Sequence, residues 1–189
     1  MLSERILCAG FGGQGVMVLG KLIACAAMLD GREVTWMPSY GPEMRGGTAY
    51  CSVVVADHPV GSPIVTTNAT SLIVMNLPSL DRYEQSVHPG GIMLVNSSLI
   101  DREISRDDVL IHKLEANKIA AQCGSPKAAH MVMLGAYVAI REFVDQHHLK
   151  MAFKQIFGTM TASSFERNMK AVSRGFESVD AGVVIRKAA

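Results

Sequence analysis

No two of the four cysteines, Cys8, Cys25, Cys51 and Cys123, lie close together in this chain of 189 residues. Without a C-x-x-C pair, the chain alone offers neither a zinc knuckle nor a ferredoxin-type cluster, and buried free thiols are expected. An excess of one charge is also missing. Lys and Arg number 18 against 17 Asp and Glu, a net charge of +1, so neither nucleic acid nor an anionic membrane is indicated as the main partner. The longest apolar runs, residues 16–29 and 131–140, are broken by Lys21 or too short to span a bilayer. The opening MLSERILC lacks the basic segment and long apolar core of a signal peptide, and a cytoplasmic protein is expected. The six histidines, His58, His88, His112, His130, His147 and His148, show no metal-ligand spacing. His147 and His148 are adjacent, so on a helix they point apart. No Ser-His-Asp or Cys-His arrangement is readable from spacing, which argues against an independent catalytic centre.

What is present begins at residue 5. A short apolar run ends in Gly10, Gly12 and Gly15 at G-x-G-x-x-G spacing, and an apolar stretch of helical length follows at once. Strand, glycine turn and helix in that order are the context of a phosphate cradle. Glycine permits the tight turn, and the helix N-terminus adds partial positive charge and unpaired donors. Gly10, Gly12, Gly13, Gln14 and Gly15 are therefore candidate ligand-binding residues. The plainer alternative is that the glycines only let the first helix pack closely on the sheet. The run Gly15-Val-Met-Val-Leu-Gly20-Lys21 copies seven positions of a P-loop, but Leu22 stands where a magnesium-binding hydroxyl belongs. A dinucleotide dehydrogenase fits poorly as well. It needs an acid at the end of the second strand to hold a ribose, and Glu33 lies at that strand's beginning.

The second feature is the loop Pro38-Ser-Tyr-Gly-Pro-Glu-Met-Arg-Gly-Gly47. It follows the second strand, which in an open α/β sheet puts it at the ligand-binding edge beside the first glycine loop. Among its prolines and glycines stand Tyr40, Glu43 and Arg45. Arg45 can clamp a phosphate or carboxylate, and Glu43 can pair with it or with a neighbouring chain. An ordinary solvated loop with one ion pair is the alternative. Of the twelve methionines, Met131, Met133, Met151, Met160 and Met169 read as core filler, whereas Met37 and Met44 flank this loop.

The periodicity predicts strands at 5–9, 33–37, 48–56, 71–76, 92–96 and 109–114. It predicts helices at 14–29, 79–86, 116–123, 128–147 and 150–157. A last amphipathic helix carries Phe165, Met169, Val172, Phe176 and Val179, opened by a Ser163–Glu166 capping box. The alternation predicts a single domain over 1–189, an α/β fold of three layers with a mostly parallel, doubly wound (Rossmann-like) sheet and a helix-rich C-terminal third.

The segments GFGGQGVMVLGKLIA at 10–24, PSYGPEMRGGTAYCSVVVAD at 38–57 and VGSPIV at 60–65, with Asn76-Leu-Pro78 and Pro89-Gly-Gly91 beyond them, resemble the gamma subunit of 2-oxoacid:ferredoxin oxidoreductases. The resemblance implies that a 2-oxoacid, coenzyme A and oxidised ferredoxin give acyl-CoA, carbon dioxide and reduced ferredoxin. It implies alpha and beta, and in some members delta, subunits as partners. Thiamine diphosphate, magnesium and iron–sulfur clusters belong to those chains, and ferredoxin is met through the complex. In keeping with this, no Gly-Asp-Gly followed at the usual distance by Asn-Asn and no clustered cysteines occur here, and the isolated chain is expected to be inactive. Its implied role is assembly, with coenzyme A as a candidate ligand of Gly12–Gly15 and Arg45. The wording of residues 41–47 leans toward the 2-oxoglutarate or branched-chain members. Two alternatives stay open: a stand-alone Rossmann-like nucleotide-binding protein, and an assembly module whose loops touch protein only. Apolar patches left bare by absent partners would favour a homodimer of the isolated chain.

Overall fold

The computed structural model describes residues 2–40, 47–65, 67–180 and 184–185. The first strand, β1 (Ser3–Phe11), is buried on both faces and stands near the middle of a sheet ordered β2-β3-β1-β4-β5-β6-β7. The others are β2 (Glu33–Tyr40), β3 (Thr48–Ala56), β4 (Ala69–Val74), β5 (Val87–Asn96), β6 (Leu110–Leu114) and β7 (Val184–Ile185). β1, β4, β5 and β6 pair in parallel, while β3 is antiparallel to both β1 and β2. β2 therefore points the same way as β1, and only β3 and β7 run against the rest. The α/β sheet expected from the alternation is present, and it is mixed: β1, β4, β5 and β6 form a parallel block, while the pairings β1–β3, β2–β3 and β6–β7 are antiparallel. Loop length explains the reversal of β3: the connection after β2 is too short for a parallel crossover, which takes a dozen residues or more.

Helices α1 (Val16–Leu29), α4 (Ala129–Arg141), α5 (Gln146–Ile156) and α6 (Ala162–Asp180) cover one face, with α3 (Ala116–Gln122) beside them. Among the described residues, the other face carries the short α2 (Leu77–Tyr83), a 3₁₀ turn and loops that contribute Val60, Val65, Ile100 and Ile104. α1 is apolar almost all round because sheet and helices enclose it. A Cβ at Gly20 would run into the Cys51 sulfur, so that glycine sets how closely α1 lies on β3. α4 and α6 come closer still. A Cβ on Gly135 would overlap the Val172 carbonyl, and one on Gly175 would overlap the Val132 carbonyl.

Three local expectations change. The helix expected over 128–147 breaks at Glu142, whose φ of 52° is left-handed, and α5 restarts where Asp145 accepts from the His148 N–H at 2.8 Å. Phe143 and Val144 sit buried in the break, so tertiary burial overrides helical propensity. The hydroxyl at the start of α6 is Thr161, which accepts from the Ser164 N–H at 3.4 Å, rather than a Ser163–Glu166 box. Met131 and Met133 are core residues, but Met151 lies exposed. Cys8, Cys51 and Cys123 are buried free thiols, and Cys25 is half-buried.

Charged groups fasten the second face. The Glu84 carboxylate is nearly enclosed and accepts from the Arg102 guanidinium, with the Ser105 hydroxyl at 3.3 Å. Arg106 donates to the Glu84 and Val87 carbonyls at 3.1 and 2.9 Å and chelates Asp108 through two nitrogens.

Candidate functional site

β1 ends at Phe11 on the carboxyl edge of the parallel strands. α1 leaves that edge over one face of the sheet, and α2, following β4, leaves it over the other. This is the topological switch point of an open α/β sheet, where ligands bind. The glycine loop fills it. Gly13 and Gly15 hold φ values of 99° and 80°, which side chains rarely adopt, and Gly15 starts α1 with no side-chain cap. A Cβ at Gly15 would also strike the His130 ring, so that imidazole lids the turn from α4. Burial pushes the His130 pKa down and keeps the ring neutral at neutral pH.

Gln14 folds back. Its Oε1 accepts from the Phe11 N–H and from Asn76 Nδ2, each at 2.7 Å. Asn76 in turn caps α2, its Oδ1 accepting from the Ser79 N–H at 3.0 Å. One amide thus clasps both sides of the switch point. A Cβ at Gly10 would stand 2.8 Å from Gln14 Oε1 and 3.0 Å from Met75 Cβ, which is why position 10 carries none. The polar chain continues along the edge, with Asn96 Nδ2 donating to Asn117 Oδ1 at 2.8 Å and the Asn117 N–H to Ser98 Oγ at 3.2 Å.

The two expected loops meet. The Gly12 N–H donates to the Gly47 carbonyl at 3.0 Å. In register, Tyr40 pairs with Ala49 and Ala49 with Gly10, so Tyr40 stands two strand spacings, about 10 Å, from the glycine loop. Tyr40 is 67% exposed. Glu43 and Arg45 lie outside the described residues.

The expected donors divide into two groups. The N–H groups of Gly12 and Gln14 are spent on Gly47 and Phe11. Those of Gly13 and Gly15 have no partner among the described residues, and the first turn of α1 leaves its own donors open. An anion at this edge would meet those donors and the positive end of α1. Glu33 begins β2 at the opposite edge, and β3 separates β2 from β1, so no ribose-holding acid reaches the loop from that strand. Among the described residues no group of three or more His, Cys, Asp or Glu is placed to hold a metal, and no helix is long and apolar enough to cross a membrane. Sequence reasoning missed Asn76 and His130. The Asn-x-Pro step at 76–78 is a readable helix start, but nothing local marks His130.

The chain matches the family described as pyruvate ferredoxin/flavodoxin oxidoreductase over residues 5–178. It is 38% identical over 174 residues to the ketoisovalerate oxidoreductase subunit VorA of Methanothermobacter thermautotrophicus, covering 92% of this chain but only 36% of that relative's length. The 2-oxoglutarate synthase subunit KorC of Methanocaldococcus jannaschii is 31% identical over 179 residues, which cover 93% of this chain and 94% of KorC. Among solved structures, the keto/oxoacid ferredoxin oxidoreductase gamma subunit of Geobacter sulfurreducens superposes with a TM-score of 0.83 at 28% identity, covering 96% of this chain and 98% of its own.

Proposed function

The chain belongs to the pyruvate ferredoxin/flavodoxin oxidoreductase family, and on that premise we propose that it is the gamma subunit of a 2-oxoacid:ferredoxin oxidoreductase. The assembled enzyme converts a 2-oxoacid, coenzyme A and oxidised ferredoxin to acyl-CoA, carbon dioxide and reduced ferredoxin. Thiamine diphosphate, magnesium and the iron–sulfur clusters, which supply the decarboxylation and electron-transfer chemistry, reside in this reading on alpha, beta and delta partners. Residues 1–189 act as one domain that completes the assembly and receives coenzyme A. The substrate is a branched-chain 2-oxoacid or 2-oxoglutarate, in line with the VorA and KorC likenesses.

The observation that carries the coenzyme A role is the Gly12–Gly47 hydrogen bond. It joins the two glycine-rich loops, and the Gly13 and Gly15 donors beside it have no partner among the described residues. Those donors, the uncapped α1 terminus and the Arg45 guanidinium suit a pyrophosphate. Tyr40 stands at the end of β2, about 10 Å from the glycine loop, and Glu43 is a further candidate for the same ligand. Tyr40, exposed at the end of β2, also favours a second reading in which the joined loops face partner protein only.

The test is anoxic purification of the intact complex, followed by coenzyme A-dependent ferredoxin reduction with a panel of 2-oxoacids. Arg45→Ala should raise the KM for coenzyme A about tenfold while leaving the complex assembled. An unchanged KM with partial loss of partner chains favours the assembly reading. Recovery of the chain alone, inactive with every 2-oxoacid, removes the subunit reading.

A further inference from the structure

A hollow away from the glycine edge lies between α5 and α6. It measures about 530 Å³. Its floor is apolar: Leu149 is 1% and Val172 4% exposed, and Met169 joins them. Its walls are cationic, with Lys150 from α5 and Lys170 and Arg174 from α6, beside the polar Gln146 and Ser173. Glu177, the carboxylate of this lining, is engaged by Arg174 at 3.2 Å. Lys150 and Lys170 have no acidic partner among the described residues. A neighbouring hollow at the Gln146 end is instead lined by Glu142 and Asp145. The electrostatic gradient therefore draws an anion toward the Lys150 and Lys170 end and away from Gln146.

We propose that this cleft is a binding site for a small organic dianion, a phosphate ester or dicarboxylate carrying an apolar or aromatic body. The charges come from both of the helices that line the hollow. The lysine stems continue the apolar floor upward and leave their ammonium groups at the mouth. Arg174, held by Glu177 through one nitrogen, keeps its remaining donors for the ligand. The volume suits a small molecule, for which clefts of about 300–1,000 Å³ are usual. An apolar body on Leu149 and Val172 would remove those side chains from water, which a bare inorganic ion cannot do. The site is independent of the coenzyme A reading, since none of its residues belongs to the glycine edge.

The experiment uses the full chain, followed by amide ¹H–¹⁵N NMR at low salt, with phenyl phosphate, phthalate and inorganic phosphate as probes. Phenyl phosphate should move the amides of Gln146, Leu149, Lys170 and Ser173 and bind about fivefold tighter than inorganic phosphate. Lys150→Gln and Lys170→Gln should each weaken it about fivefold, while Arg167→Gln, on α6 but outside the cleft, leaves it unchanged. Phthalate binding with equal strength assigns the site to dianions in general; phthalate failing to bind assigns it to phosphate esters. Shifts confined to Gly12–Gly15, no cleft shifts at millimolar probe, or an undiminished affinity in both lysine variants would overturn the proposal. All three positions are exposed, and melting curves of the variants serve as the check that folding is intact.

Discussion

The two faces of the sheet are held by different physics. On the α1 side, helices bury Phe153, Tyr137, Leu19 and Leu22 completely, and two glycines bring α4 and α6 into backbone contact. On the α2 side, one short helix and loops lie over Leu72, Val74 and Met93, fastened by Glu84, Arg102 and Arg106. The first face resists because removing atoms leaves cavities. The second depends on each charge keeping its partner. The glycine loop sits where the two meet, since Gln14 stands at the head of the α1 side and its partner Asn76 starts α2.

The sharpest way to break this contrast is to hollow the helical face. Phe153→Ala removes a ring fully enclosed beside Phe157 and Phe165, and should cost about 4 kcal/mol in denaturant unfolding. Gly135→Ala adds a single methyl against the Val172 carbonyl. It should cost about 3 kcal/mol by forcing α4 and α6 apart. On the other face, Glu84→Ala should cost about 2 kcal/mol, less than the helical lesions because Arg102 keeps Asp81 and some contact with water. Replacing Glu84 and Arg102 together by Met should recover much of that loss, whereas no companion change would rescue Gly135→Ala. At the junction, Gln14→Ala should cost about 1.5 kcal/mol by stranding the Phe11 N–H and the Asn76 amide. Its larger effect should be local: faster hydrogen exchange at Phe11 and Ser79.

The smallest effect is pH dependence. Burial favours the neutral forms of His130 and His112, so the folded chain releases these protons more readily than the unfolded chain. Protonation therefore promotes unfolding. The stabilisation is complete above the ordinary histidine value of 6.5 and fades as the pH falls below it toward the lowered folded values. The melting temperature should decline as the pH falls below about 6.5, and His130→Gln should shallow the decline. A slope unaffected by that change would shift the cause to His112 on β6.

The elements of the helical face were largely readable, because α1, β1 and β3 carry unbroken or regular apolar periods that local sequence expresses. The bounds of β3, residues 48–56, agree to the residue. The place of β3 between β2 and β1 was not readable, since strand pairing joins residues far apart in sequence and period-2 patterning does not name the partner. The break at Glu142 was hidden for a related reason. No glycine or proline marks it; the burial of Phe143 and Val144 against distant residues pays for the left-handed turn. At the candidate site, the glycine spacing placed a turn between β1 and α1, where the structure has one, and Gly12 meets Gly47 of the second loop. The spacing could not show that Gln14 turns inward, because the donor that holds it, Asn76, arrives at the start of α2, 62 residues on.

The paired notches at Gly135 and Gly175 bear on how the molecule is made. The ribosome delivers α4 after all the strands from β1 to β6, and α6 later still. Until α6 appears, the seam of α4 that will receive it presents bare backbone and apolar side chains to the cell. A chain cut short before residue 162 would carry that seam uncovered and should associate through it.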